Sequence, residues 1–197
     1  MMGLKFLGTA ADVSERRGKY ARMERERRFL LRELPPGLKV NDEHSQIFDN
    51  YLTGTRLRLR KVRAPRERAW TWKLTQKFAP DDPPDFSRTL ITNIYLSQYE
   101  YEVLSVFEGN EIRKNRYPYV YDGRVFSIDV FLGALHGLAL AETDFETDEE
   151  MRAFAIPSFV FLDVTNDEMF TGGRLVDLTI DEIRAELKRR GERGEAE

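Results

Sequence analysis

Polar and apolar positions alternate with a period of two over several stretches of this chain, which is the pattern of strands rather than helices. In "TRLRLRKVR" the side chains of Arg56, Arg58 and Arg60 share one face while Leu57 and Leu59 share the other. "WTWKLTQKF" sets Trp70, Trp72 and Leu74 against Thr71, Lys73, Thr75 and Lys77, and "EIRKNRY" places Lys114 and Arg116 in phase with Ile112. Further along, "VFSIDVF" puts Asp129 in phase with Ser127, "LALAETDF" puts Glu142 with Asp144, and "FVFLDVTND" puts Asp163 with Thr165. Most of these segments end at turn-forming residues such as Thr53-Gly54, Asp81-Asp82-Pro83-Pro84 and Asp122-Gly123. The pattern predicts a mainly antiparallel β fold.

Three stretches change period. Ser97 with Glu100 forms a capping-box pattern, after which Leu96, Tyr99, Val103, Leu104 and Phe107 fall on one helical face and predict a packing stripe. Thr147 with Glu150 opens a short helix through Phe154. Thr179 with Glu182 opens a last helix carrying Ile183 and Leu187, expected to stop at Gly191.

The strand "RMERERRFLL" breaks the usual rule for a half-buried sheet. Glu24, Glu26 and Arg28 share one face, Arg25 and Arg27 the other, so both faces are charged. A closed antiparallel barrel of roughly eight strands resolves this, because its interior can hold side chains or one small ligand. With the charged faces turned inward, Arg56, Arg58, Lys77, Arg88, Lys114 and Arg116 form a cationic lining, and Glu24, Glu26, Asp129, Glu142, Asp144 and Asp163 an anionic one. Such a lining is untenable when dry, since unpaired buried charges are costly. It suits a wet tunnel holding a polyphosphate with divalent ions, where guanidinium and ammonium groups take the phosphate oxygens and carboxylates take Mg²⁺ or Mn²⁺.

Composition sharpens this picture by exclusion. The chain of 197 residues, 41% hydrophobic, can bury one sizeable core, and neither repeat nor linker divides it. We expect a domain over residues 20–190, with residues 1–19 a poorly ordered or peripheral extension and residues 191–197 a tail. The absence of cysteine removes disulfides, thiolate metal sites and thiol nucleophiles, and suits the cytoplasm. Two histidines cannot build a three-histidine metal site, and His44 and His136 read as surface or turn residues. No run has the length of a membrane span. A net charge of −3 with 33% charged residues means that opposite charges are segregated locally.

The ordered series of motifs resembles the CYTH domain, or triphosphate tunnel metalloenzyme, superfamily. Its opening signature, Glu-x-Glu-x-Lys, is matched by Glu24, Glu26 and, with a substitution, Arg28. The likeness continues through "RLR" at Arg56 to Arg58, "LTQK" ending at Lys77, "KNR" at Lys114 to Arg116, "SIDVFLGALHGLALAETDF" and "LDVTNDEMFTGGRL", and covers roughly Tyr20 to Val176. The resemblance implies an eight-stranded antiparallel barrel tunnel with a few flanking helices. It also implies a divalent-metal-dependent triphosphatase acting on a triphosphate small molecule, most directly inorganic tripolyphosphate. Thiamine triphosphatase or adenylate cyclase activity, or polyphosphate or nucleotide binding without catalysis, stand as alternatives.

By position the resemblance makes Glu24, Glu26 and Arg28 catalytic. Glu24, Glu26, Glu142, Asp144 and Asp163 would be metal ligands, and Arg56, Arg58, Lys77, Arg88, Lys114 and Arg116 phosphate ligands. Two departures matter: arginine replaces the signature lysine at Arg28 and cannot accept a proton, and "RTLITNIYLS" after Arg88 lacks the acidic residues usual there. Arginine-rich "TRLRLRKVRAPRER" beside Trp70 and Trp72 has the interleaving of a single-strand nucleic-acid surface, but in-phase acidic strands argue against that partner. "TGGR" lacks the ending of a phosphate loop, no membrane contact is expected, and an oligomer is compatible with the pattern.

Overall fold

The computed structural model describes residues 20–194 apart from Arg68, with side chains as far as Arg190. The expectation for residues 1–19 lies outside the described residues. The strands are β1 (Arg22–Leu30), β2 (Ser45–Leu52), β3 (Leu57–Arg63), β4 (Thr71–Phe78) and β5 (Arg88–Leu96), followed by α1 (Gln98–Leu104). After it come β6 (Gly109–Tyr121), β7 (Arg124–Phe131), β8 (Ala139–Asp144), α2 (Asp148–Ala153), β9 (Leu162–Asp163), α3 (Gly172–Leu175) and α4 (Ile180–Gly194).

All pairings are antiparallel, in the order β5-β4-β3-β2-β6-β7-β8-β1, and β5 pairs back onto β1 to close an eight-stranded barrel. Closure is partial in register: Arg22 to Arg25 meet Ile91 to Arg88, whereas further along β1 the short β9 takes the same side at Phe29 and Leu30. "FVFLDVTND" is therefore mostly not a strand. Asp163 accepts from the backbone N–H of Thr165 at 2.9 Å and folds the chain into a turn after two paired residues. The β6–β7 hairpin turns at Asp122 and Gly123, whose φ values of 49° and 75° are the left-handed conformation that a tight two-residue hairpin requires.

Apolar side chains pack in two places. Outside the barrel, Phe29, Leu31, Tyr117, Phe126, Ile128 and Ala141 are buried under Leu34, Leu38, Phe154 and Phe159. Phe29 and Phe126 are fully buried, each contributing about 2–3 kcal/mol from area removed from water. At one end of the barrel the inward side chains turn apolar, and Leu30, Ile112, Phe131 and Leu140 pack against Val164, Phe170, Leu175 and Ile183. The chain after β9 thus fills that end of the interior.

The helix starts follow the capping chemistry. Ser97 and Glu100 form a reciprocal box, Thr147 accepts from the N–H of Glu150, and the Thr179 N–H donates to Glu182 Oε2 at 2.7 Å. Two details differ from the sequence pattern. α4 runs past Gly191 to Gly194, because one glycine lowers helix propensity by only about 1 kcal/mol. The expected stripe on α1 packs only in part: Tyr99, Val103 and Phe107 are exposed, while its members Leu96 and Leu104 are half-buried together with Tyr101.

Candidate active site

Barrel registers place the inward side chains in rungs. Asp49 lies opposite Arg60, which lies opposite Lys73; Tyr51 lies opposite Arg58, which lies opposite Thr75; Arg28 lies opposite Glu142; and Arg116 lies opposite Asp129. These side chains surround a cavity of about 460 Å³ lined by nine arginines and lysines against four carboxylates. The surplus is cationic although the whole chain is net negative. Asp129, fully buried behind the lining, accepts from Lys114 and from Arg116 Nε at 2.6 Å.

The charges are arranged as two walls. On β1 and β8 the carboxylates are held by cations: Arg28 donates to Glu26 Oε1 at 2.6 Å and to Glu142 Oε1 at 3.0 Å, Arg116 donates to Glu142 Oε2 at 2.5 Å, and Lys77 reaches Glu24 Oε2 at 2.5 Å. Burial works against the Glu24 carboxylate, but Lys77 outweighs it and the net displacement is downward. Glu142 sits well below the ordinary carboxylate range because Arg116, Lys114, Arg28 and Lys77 together outweigh its burial. Asp144 differs. Although the residue is exposed at the rim, loss of water around its carboxyl and the nearby Glu26, Glu24 and Glu142 charges push it up to about 6. Among the described residues its carboxylate has no ion-pair partner.

Across the lumen, β2, β3 and β4 form the cationic wall. Asp49 is clamped by Arg60 through two hydrogen bonds of 2.5 and 2.6 Å, and burial, outweighed by Arg58 and Arg60, leaves it far below its usual value. Arg58 is only 3.5 Å from the same carboxylate, and its buried Nε has no hydrogen-bond partner. Arg56 touches the Phe78 ring at 4.5 Å and no carboxylate among the described residues. Lys73 is pulled down from the ordinary lysine value by burial and then by Arg60 and Arg58.

Of the residues singled out in the sequence, Glu24, Glu26, Arg28, Arg56, Arg58, Lys77, Lys114, Arg116 and Glu142 converge on this cavity. Asp144, Glu142 and Ser127 line a side opening that adjoins it. Arg88 and Asp163 do not face it. Arg88 stands opposite Arg25, outward on β1, and both contact Asp148; Asp163 accepts from Arg27 Nη2 at 2.5 Å, also outward. The alternation that places Arg88 inward fails because its partner is an odd-numbered β1 residue. Arg22, Asp49, Tyr51, Arg60 and Lys73 also line it; the "RLRLR" alternation already marks Arg60, and Lys73 is in phase with Lys77, whereas nothing in "SQIFDNYL" distinguishes Asp49.

The donor set fits a polyanion and a hard cation together. Cationic side chains lacking carboxylate bonds, with one orphaned guanidinium N–H, face phosphate chemistry. Among the described residues no three carboxylates or histidines stand ready-made around one metal position. The chemistry of Glu24, Glu26, Glu142 and Asp144 nevertheless fits a divalent ion, since the Asp144 carboxyl, raised by burial and then by the other three charges, is one whose ionised form such an ion would favour.

A closed antiparallel barrel thus encloses a lumen of opposed acidic and basic walls. No family model matches the chain. It is 34% identical over 95 residues to an inorganic triphosphatase of Acetivibrio thermocellus, covering 43% of this chain and 59% of that protein. It is also 32% identical over 97 residues to an inorganic triphosphatase of Nitrosomonas europaea, covering 44% and 64%. The chain thus spans about 60% of the length of the curated relatives it matches. The crystal structure of the inorganic triphosphatase NE1496 shares the fold, with a TM-score of 0.52 and 24% identity over 78% of this chain and 93% of that one. The fold is thus shared with a solved inorganic triphosphatase, and under half of this chain is similar in sequence to two inorganic triphosphatases.

Proposed function

We propose that this protein is a divalent-metal-dependent inorganic triphosphatase that binds tripolyphosphate inside the barrel. The observation that carries the reading is the lumen itself, with nine basic residues against four carboxylates, three of the four gathered on β1 and β8. The two curated triphosphatase relatives support the substrate class.

In this reading Arg56, Arg58, Arg60, Lys114 and Arg116 hold phosphoryl oxygens and neutralise the charge that spreads over them as the terminal P–O bond breaks. Glu24, Glu26, Glu142 and Asp144 hold Mg²⁺ or Mn²⁺, which when bound supplies charge neutralisation and a more acidic water. Arg28 is a positioning residue, since its guanidinium bridges Glu26 and Glu142. It cannot take a proton. Lys73, drawn below the ordinary lysine value by burial and then by Arg60 and Arg58, is the candidate acceptor for the proton of the attacking water. Water then adds to the terminal phosphorus, diphosphate leaves, and orthophosphate forms. Among the described residues no helix is long and apolar enough to cross a membrane.

The test is phosphate release from tripolyphosphate, thiamine triphosphate and ATP, each with Mg²⁺, Mn²⁺ or chelator, alongside detection of cyclic AMP. Metal-dependent release from tripolyphosphate above the other two is expected. Activity undiminished in chelator, or confined to an organic triphosphate, would overturn the assignment.

A further inference from the structure

The outer face of the barrel carries a second ordered array that the lumen chemistry does not use. Across four adjacent strands, Arg113 on β6 stands directly opposite Phe48 on β2, Phe48 opposite Lys61 on β3, and Lys61 opposite Trp72 on β4. Cation and aromatic ring alternate along this rung, which spans about 15 Å at ordinary strand spacing. Trp70 and Arg63 extend it by one step along the strands. Lys61 Nζ lies 4.7 Å from the Phe48 ring centre, Arg113 Cζ 5.5 Å from the same ring, and Arg63 Cζ 5.1 Å from that of Trp70.

We propose that this face binds single-stranded nucleic acid, with bases stacking on the Phe48 and Trp72 rings and phosphates meeting Lys61 and Arg63. Charge complementarity favours a polyanion: Arg113 is partly neutralised by Glu111, but among the described residues Lys61 and Arg63 have no carboxylate partner. The aromatic rings select among polyanions. Flat half-exposed rings set between cations suit a ligand that repeats a π face and a phosphate, and stacking on them is indifferent to sequence. An acidic peptide offers the charge without the rings. The acidic strands that argue against nucleic acid in the sequence do not oppose it here, since Glu24, Glu26 and Glu142 point into the lumen, on the other face of the sheet and on distant strands.

The test uses the full chain and a short oligothymidylate with a 5′-hydroxyl end and a 3′ fluorophore, so that no triphosphate is present to enter the lumen. Anisotropy titration should show binding that weakens linearly in log salt, and weakens about tenfold or more for a duplex of equal length. Lys61→Glu with Arg63→Glu should weaken it about tenfold or more, and the milder Lys61→Gln with Arg63→Gln by less, with both pairs melting as the native chain does. Trp72→Leu should weaken it about fivefold or more through lost stacking. Tripolyphosphate should not displace the oligonucleotide beyond its effect as salt. Absence of binding, equal affinity for duplex, displacement by tripolyphosphate, or insensitivity to every substitution would each overturn the proposal.

Discussion

Arg28 and Glu142 face one another across the β1–β8 ladder, and the guanidinium Nε donates to the carboxylate at 3.0 Å while Nη2 reaches Glu26. Removing Arg28 would leave two nearly buried carboxylates without their shared cation. Arg28→Ala should cost roughly 3 kcal/mol in urea unfolding, the lower end of what breaking a buried pair costs because the lumen is wet. Arg28→Lys keeps one charge but not the bridge, and should raise kcat and KM together by freeing the carboxylates for metal. Steady-state kinetics of the three proteins with Mg²⁺ and Mn²⁺ check this; a lysine variant slower than native under every condition would contradict it.

Glu26→Gln and Glu24→Gln should lower metal-dependent hydrolysis by more than the roughly 10–100-fold that follows loss of an outer-sphere partner. A modest fall in melting temperature with the barrel still folded is expected, because each change unpairs one cation, Lys77 or Arg28, in a lumen already in positive surplus. Calorimetric titration with Mn²⁺ alone should show weaker binding in both. Full turnover with unchanged Mn²⁺ affinity would make these glutamates structural.

The raised Asp144 gives a pH signature. An unfolded aspartate titrates near 4 and the folded one near 6, so between these values the folded state holds more protons and stability falls as pH rises. The depressed Asp49, Glu24 and Glu142 act in the opposite sense, their contribution being present above about pH 4 and lost as pH falls through their lower folded values. The difference in urea midpoint between native chain and Asp144→Asn isolates the first effect. It should widen from pH 4 to pH 7 in chelator and shrink with Mn²⁺; a flat difference would remove Asp144 from the cation-binding wall.

Lys73 offers a kinetic counterpart. If its amine accepts the water proton, the rate rises with pH as Lys73 loses its own, and Lys73→Arg should abolish that rise while keeping substrate affinity within about tenfold, since the charge remains. A pH–rate profile of the two proteins decides it. An unchanged profile in the arginine variant would assign proton removal elsewhere.

Arg88→Gln and Asp163→Asn serve as controls. Both side chains lie outside the lumen, so kcat and metal affinity should stay within about twofold of native. Asp163→Asn should still cost about 1 kcal/mol through its bonds to Thr165 and Arg27. A large loss of activity in either would mean that these side chains turn inward when substrate binds.

Charge alternation makes the barrel and most of its lining readable, because a strand charged on both faces can hardly be accommodated except around a wet, ligand-holding interior. Periodicity within a strand fixes which residues share a face, but not which face is inside. Lys114 and Arg116 are placed correctly by analogy with neighbouring strands, while Arg88 and Asp163 are not, since their orientation is set by pairing with odd-numbered β1 residues. Asp49 escapes notice because one aspartate among apolar neighbours carries no pattern. The stripe on α1 misleads in part, its spacing being helical but Tyr99, Val103 and Phe107 facing solvent while Leu104 packs together with Tyr101.

The excess of positive charge in the cavity makes the fold itself responsive to its ligand. Nine basic side chains against four carboxylates leave the lumen net positive, and a polyanion that enters only the folded barrel relieves the residual repulsion. Folding and occupancy are then linked, with about 2.7 kcal/mol gained when ligand stands at a hundred times its dissociation constant. A cell rich in condensed phosphate would hold this protein more firmly folded, and protect it better from proteases, than one that has run short. On the proposed function, the abundance of the protein would follow the supply of its substrate.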